Sequence, residues 1–259
     1  MGNEAYYFET KQLAAGYEGK PVVSNVTMKL KKGEILSLIG PNGSGKTTIL
    51  KTLIRQLPAV SGAVMIGKNP MEQIHSADLA RQQAVVLTER LRTEMMTVED
   101  VVETGRYPYT SKFGILSRRD HHIVSDAMRI TRIFHMKNQD FTKISDGQRQ
   151  RVMLARALAQ EPEMILLDEP TSFLDIKYKL EFLTIIRRLS REKKLTVIMS
   201  LHEVDLAWRI SDKIACFRDG ILDRIGSPKD IFSDDYVTKL YHIRTEEVDP
   251  VFYDVISRI

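Results

Sequence analysis

Gly40-Pro-Asn-Gly-Ser-Gly-Lys46-Thr47-Thr48 constrains what this chain can fold into more than any other stretch. An apolar run, Ile35-Leu-Ser-Leu-Ile39, precedes it and reads as a buried strand. Apolar residues at Ile49, Leu50, Leu53, Ile54 and Leu57 follow it at helical spacing. Strand, glycine-rich turn and helix in that order form a cradle for phosphate. Gly40, Gly43 and Gly45 let backbone N–H groups turn inward, and the helix start adds the positive end of its dipole. Asn42, Ser44 and Thr48 belong to the same turn. Lys46 can reach the β- and γ-phosphates, and the Thr47 hydroxyl can ligate Mg²⁺. The competing reading is a glycine-rich turn that only joins strand to helix. The flanking elements predict instead a nucleoside triphosphate ligand.

Composition sets wider bounds. A chain of 259 residues can bury the core of one large α/β domain with an insertion. Hydrophobic residues at 43% and charged residues at 28% fit an ordinary globular protein. No apolar run approaches the roughly 20 residues that span a bilayer. Met1 to Tyr6 lacks the basic and apolar regions of a secretory signal and fails the myristoylation pattern. The single cysteine, Cys216, excludes an internal disulfide and fits a reducing compartment; within Ile214-Ala-Cys-Phe217 it reads as a packed strand residue. A cytosolic protein is expected. Net charge is +4, but the charges are interspersed, as in Arg187-Arg188 and Arg191-Glu192-Lys193-Lys194, so a solvated helix face explains them and no nucleic-acid partner is expected.

Strand signals at Phe8–Leu13 and Val22–Leu30 predict an antiparallel edge, with short strands at Val64–Ile66 and Ala84–Leu87. From about Thr93 to Gln160 the pattern is helical: Val98, Val101 and Val102 share one face, and Ile123, Ala127, Ile130 and Ile133-Phe134 share another. Strands return at Met164–Leu167, Thr196–Met199 and Ile214–Phe217, and Asp219-Gly220 signals a hairpin. The expected organisation is an α/β core with a β edge (residues 1–90 and 161–227), an inserted helical subdomain (91–160) and a tail (228–259).

Met164-Ile-Leu-Leu167 ends in Asp168-Glu169-Pro170, so two carboxylates emerge at the C-terminal end of a buried strand, where open α/β sheets bind ligands. Asp168 would hold Mg²⁺ through its water shell, and Glu169 would orient or deprotonate an attacking water. His202 follows a strand and could donate to the γ-phosphate, or could be structural. The other histidines show no metal-ligand spacing.

The phosphate loop, Ile144-Ser-Asp-Gly-Gln148, Ile165-Leu-Leu-Asp-Glu-Pro170, Ser172-Phe-Leu-Asp175 and His202 occur in an order that resembles the ATP-binding subunit of ABC transporters over nearly the whole chain. The resemblance implies a P-loop NTPase core sheet with an antiparallel β edge and an inserted α-helical subdomain. It implies two half-sites per chain, completed by a homodimer around two Mg·ATP. Ser145, Gly147 and Gln148 would then meet the γ-phosphate held by the other copy. Tyr17 matches the position that stacks on adenine, and Asp175 the loop that links the two sites.

Two departures stand out. Thr88-Glu89 occupies the place of the family's Gln near Mg²⁺, and Asp146 replaces the first Gly of the usual Leu-Ser-Gly-Gly-Gln. Glu89 could ligate Mg²⁺ but adds charge near the γ-phosphate, and Asp146 would repel it unless its side chain points away. Together with Glu103-Thr-Gly-Arg-Tyr-Pro-Tyr109-Thr, they resemble the importers of siderophores, haem and vitamin B12. That implies a polytopic membrane permease docking around Gly105–Thr110, an extracytoplasmic substrate-binding protein beyond it, and a peripheral place on the cytoplasmic face. A soluble ABC ATPase of translation or DNA repair, or a non-hydrolysing nucleotide sensor, is the alternative.

Overall fold

A computed structural model describes residues 6–87, 95–110, 114–172, 174–232 and 236–243. The chain forms two compact units. One joins the described residues of Met1–Gln73 to those of Thr196–Ile259, and the other comprises those of Ile74–Leu195.

The first unit begins with an antiparallel hairpin of β1 (Phe8–Tyr17) and β2 (Lys20–Val26), turned at Glu18 and Gly19, both with positive φ. The strand expected at Val22–Leu30 is broken, and β3 (Lys29–Leu30) resumes the pairing with β1. At the break the buried Thr10 hydroxyl donates to the Val26 carbonyl at 2.9 Å and accepts from the Met28 N–H at 2.9 Å. It thus supplies bonds that a regular ladder would have made. Next come β4 (Ile35–Ile39), buried at all five residues, α1 (Lys46–Leu53), β5 (Ala59–Ile66) and β6 (Asn69–Pro70). β5 pairs antiparallel with both β1 and β6, as the predicted edge requires.

In the second unit α2 (Ser76–Gln82) leads directly into β7 (Gln83–Val86). Helices α3 (Val98–Glu103), α4 (Arg118–Ile130) and α5 (Asp146–Ala159) follow, then β8 (Met164–Leu167) and α6 (Ile176–Lys193). β7 and β8 run parallel, from Gln83 opposite Met164 to Val86 opposite Leu167. Val98, Val101 and Val102 pack with Val124, Met128, Phe141 and Val152 into one apolar cluster. Of the face predicted from α4 onward, Ile123, Ala127 and Ile130 do lie together, around a cavity of about 300 Å³ with Leu158, Leu189 and Leu195, and Ile133 joins Val124, Ala127 and Met128 in the cluster. Neighbouring helix positions differ by about 100°, so an apolar stripe this wide leaves two candidate faces.

The first unit resumes with β9 (Thr196–Ser200), α7 (Val204–Ile210), β10 (Lys213–Arg218), β11 (Ile221–Gly226), α8 (Pro228–Ile231) and α9 (Tyr236–Leu240). β4 lies between β9 and β10, parallel to both. β11 turns back on β10 through Asp219-Gly220, both with positive φ, and meets β2 at Ile221 opposite Ser24. Cys216 is a packed strand residue, its thiol pushed up to about 12 by burial. In the segment after Ser227, which the sequence leaves unplaced, the described residues 228–232 are held by local chemistry. Pro228 opens α8, Ser227 and Asp230 cap it reciprocally, and Trp208 packs edge-on to Phe232 at 4.9 Å. Among the described residues no helix is long and apolar enough to cross a membrane.

Candidate functional site

The phosphate loop leaves the sheet at Gly40, immediately beyond β4. Its φ of 142° is open to glycine, and a Cβ there would stand 2.0 Å from the Phe217 carbonyl oxygen of β10. At the other end Gly45 caps α1 with φ of 98°, and a Cβ there would stand 1.8 Å from Cγ2 of Val23 on β2. The loop is thus held between two strands. Asn42 and Gly43 are exposed at its tip, Ser44, Lys46 and Thr48 are buried, and Thr47 is half-buried in the first turn of α1.

Lys46 is held by the loop itself. Its Nζ donates to the carbonyl oxygens of Gly40 at 2.8 Å and Pro41 at 2.9 Å. The ammonium is therefore desolvated and aimed back over the loop. The start of α1 has no side-chain cap and no acid in its first turn, so its N–H groups and dipole favour an anion. His202 belongs to the same edge of the same unit. Leu38 of β4 lies opposite Ser200 of β9, and Leu201 N–H donates to the Leu38 carbonyl at 3.1 Å. Gly40 and His202 each stand two residues beyond that pair, and His202 is exposed. Tyr17, the last residue of β1, is 48% exposed rather than packed, in the hairpin that also carries Val23.

The second unit carries the other predicted groups. Asp168, buried, and Glu169 follow β8, and Asp168 N–H donates to the Val86 carbonyl of β7 at 2.9 Å. Glu169 has φ of 47°, a left-handed backbone that points its side chain away from a strand's alternation. Its carboxylate accepts from the Ser172 hydroxyl at 3.2 Å. Thr47 and Asp168 are hard oxygen donors of the kind Mg²⁺ takes, and neither is a soft ligand that would select another metal. Glu89 lies outside the described residues.

Ser145 and Gln148 form a reciprocal cap at the start of α5. Ser145 Oγ accepts from Gln148 N–H at 3.3 Å, and Gln148 Oε1 accepts from Ser145 N–H at 2.9 Å. Asp146 is half exposed and paired with Arg149 at 2.6 Å, which offsets the charge that the sequence places beside a phosphate. Gly147 is buried because Tyr178 lies on it; a Cβ would stand 3.0 Å from the ring. Asp175 caps α6 by accepting from Tyr178 N–H at 3.0 Å, so the two loops share Tyr178. Nothing in the sequence marked Tyr178; a ring three residues into a helix reads as ordinary packing.

The segment Gly105–Thr110 divides in two. Gly105 and Arg106 are interior, contrary to a docking role for Arg106. Its guanidinium donates to Asp120 Oδ1 at 2.8 Å, Glu161 Oε2 at 2.9 Å and the Ala159 carbonyl at 2.6 Å, with its Cζ 4.0 Å from the Tyr109 ring centre. A second guanidinium, Arg156, bonds Thr104 Oγ1 at 2.8 Å. With these cations fixed, Tyr107, 64% exposed, is more exposed than Tyr109, 37% exposed.

The family model described as ABC transporter matches residues 23–172. An ABC transporter ATP-binding protein of Methanocaldococcus jannaschii, MJ0873, is 40% identical over 94% of this chain and 84% of its own. The iron(3+)-hydroxamate import ATP-binding protein FhuC of Bacillus subtilis is 35% identical over 93% of this chain and 90% of its own. The ferric enterobactin transport ATP-binding protein FepC of Escherichia coli is 34% identical, covering 92% and 88%. Among solved structures, the cassette MJ1267 in its ADP conformation superposes with a TM-score of 0.82 at 20% identity over 92% of this chain and 99% of that one. The dimeric cassette MJ0796 superposes with a TM-score of 0.74 at 25% identity, covering 85% and 98%.

Proposed function

This chain belongs to the ABC transporter family of ATP-binding proteins, and on that premise we propose that two copies close around two Mg·ATP to drive a membrane permease. That it is an ATPase coupled to transport follows from the family; the arrangement and the cargo are our reading. The observation that carries it is the prebuilt loop, with Lys46 already seated on the Gly40 and Pro41 carbonyls at the uncapped start of α1.

In this reading the loop's N–H groups and Lys46 bind the β- and γ-phosphates of one ATP, and Tyr17 stacks on its adenine. Thr47 and Asp168 would hold Mg²⁺, which would supply charge neutralisation. Glu169 takes the proton of a water attacking in line, and His202 donates to the γ-phosphate. Ser145, Gly147 and Gln148 of the second copy meet the same phosphate from the other side. Ser145 already accepts a bond in its cap, and its hydroxyl proton is the part offered to the anion. Asp175 sits at the junction of the two sites.

The permease would contact the exposed Tyr107 and its neighbours up to Thr110, on a base fixed by Arg106. The named relatives FhuC and FepC serve iron(3+)-hydroxamate and ferric enterobactin, so an iron–chelate complex or a cobalamin-type complex is the proposed cargo. An extracytoplasmic binding protein would deliver it, with this chain peripheral on the cytoplasmic face. Glu169→Gln tests the core of the proposal. Steady-state ATP hydrolysis is expected to fall by about 10²-fold or more while Mg·ATP binding persists. Hydrolysis at the parent rate would remove Glu169 from the chemistry.

A further inference from the structure

Gly40 carries two restraints on its two sides, and one comes from the other end of the chain. The ladder between β4 and β10 ends at Ile39 opposite Cys216, so Gly40 is the first residue beyond it. Its carbonyl accepts from Lys46 Nζ at 2.8 Å, while its N–H donates to the Tyr241 phenol oxygen at 3.3 Å. Glycine is the residue least able to hold its own backbone angles. A restraint on each flanking peptide group is what fixes the direction of that carbonyl.

Tyr241 is itself firmly placed. It follows α9, whose Leu240 is fully buried, and its N–H donates to the Val237 carbonyl at 3.1 Å. One turn earlier, the Tyr236 hydroxyl donates to Asp223 Oδ2 of β11 at 2.5 Å, and the Arg224 guanidinium lies 4.1 Å from its ring centre. Asp223 also accepts from Arg218 of β10 at 3.1 Å. Burial pushes the Tyr241 phenol up to about 12, so it stays neutral across the working range of pH. We propose that Tyr241 is a positioning residue for nucleotide: its hydroxyl holds the Gly40 N–H, which keeps the Gly40 carbonyl aimed at Lys46 and the ammonium aimed at phosphate. The inference rests on the loop being the ATP site, as read above.

Tyr241→Phe removes the oxygen and keeps the ring, so the fold is retained and a thermal melt verifies it. In the full-length protein with Mg·ATP, KM and the Kd of a fluorescent ATP analogue are expected to rise about three- to tenfold, with kcat within about twofold. Hydrogen exchange in peptides spanning Ile35 to Thr48 is expected to speed up. Tyr236→Phe is the control, since it loosens the tail without touching the loop; it is expected to lower Tm and leave KM alone. Unchanged affinity in Tyr241→Phe overturns the proposal, as does an equal rise in KM from Tyr236→Phe, which would credit tail packing instead. A parent protein that binds no ATP overturns the site assignment itself, a result distinct from either.

Discussion

The starts of α1 and α5 are both proposed to face phosphate, yet they are built in opposite ways. The start of α1 has a glycine cap in a left-handed backbone, no side-chain acceptor and no acid in its first turn. The start of α5 is closed by the Ser145–Gln148 capping box and carries Asp146 in its first turn. An uncapped, acid-free start sets no carboxylate against the dipole that favours an anion. A boxed start has two of its backbone donors bound by side chains. The first is a standing site for anion; the second is a helix end complete in itself, which an incoming phosphate joins rather than rescues. That difference suits a chain that holds its own nucleotide on α1 and meets another copy's nucleotide with α5. A third start, that of α4, carries the same box from Ser117 and Asp120 with no nucleotide role, and serves as the control.

The largest effect is expected from Gly45→Ala. Its Cβ would collide with Val23 in a backbone that alanine resists, so stability should drop by about 2–4 kcal/mol and ATP binding should vanish. Nucleotide titration with a denaturant melt checks it; retained affinity would break the account of α1. A middle-sized effect is expected from Arg149→Ala, which strips Asp146 of its 2.6 Å partner. ATP-driven dimerisation of a Glu169→Gln background should weaken about three- to tenfold, and adding Asp146→Asn should restore it, as read by light scattering. No effect of the single change would mean that Asp146 does not face the nucleotide.

The smallest is at the control. Bonds from Ser117, and the guanidinium of Arg106 beside it, hold the Asp120 carboxyl at about 2, below its ordinary 3.8. Its contribution, of order 1–2 kcal/mol, is present above pH 3.8 and is lost as pH falls toward 2. Asp120→Asn should flatten the acid limb of stability and leave ATP affinity at neutral pH untouched.

What the sequence made legible is what depends on neighbours in the chain. The loop, the buried strands, the Asp219-Gly220 hairpin and the two carboxylates after β8 are each signalled within about ten residues. The misreadings involve partners far along the chain. Arg106 reads as part of a docking segment, but Asp120, Glu161 and the Ala159 carbonyl surround it. Val124 and Met128, which α4 sends into the cluster, lie on no face that the sequence singled out. The Tyr241 bond spans 201 residues, and no local pattern announces a phenol aimed at a glycine N–H.

The order of strands in the first unit has a consequence for the chain while it is being made. β4, the apolar strand that launches the phosphate loop, finds its partners only in β9 and β10, beyond residue 195. The intervening Ile74–Leu195 is one continuous unit and can gather as it emerges from the ribosome. Ile35–Ile39 must wait through that synthesis with both edges unpaired, in the condition that favours capture by another nascent strand or by a chaperone. Nucleotide binding is therefore among the last properties this polypeptide acquires, although its loop is among the first parts translated.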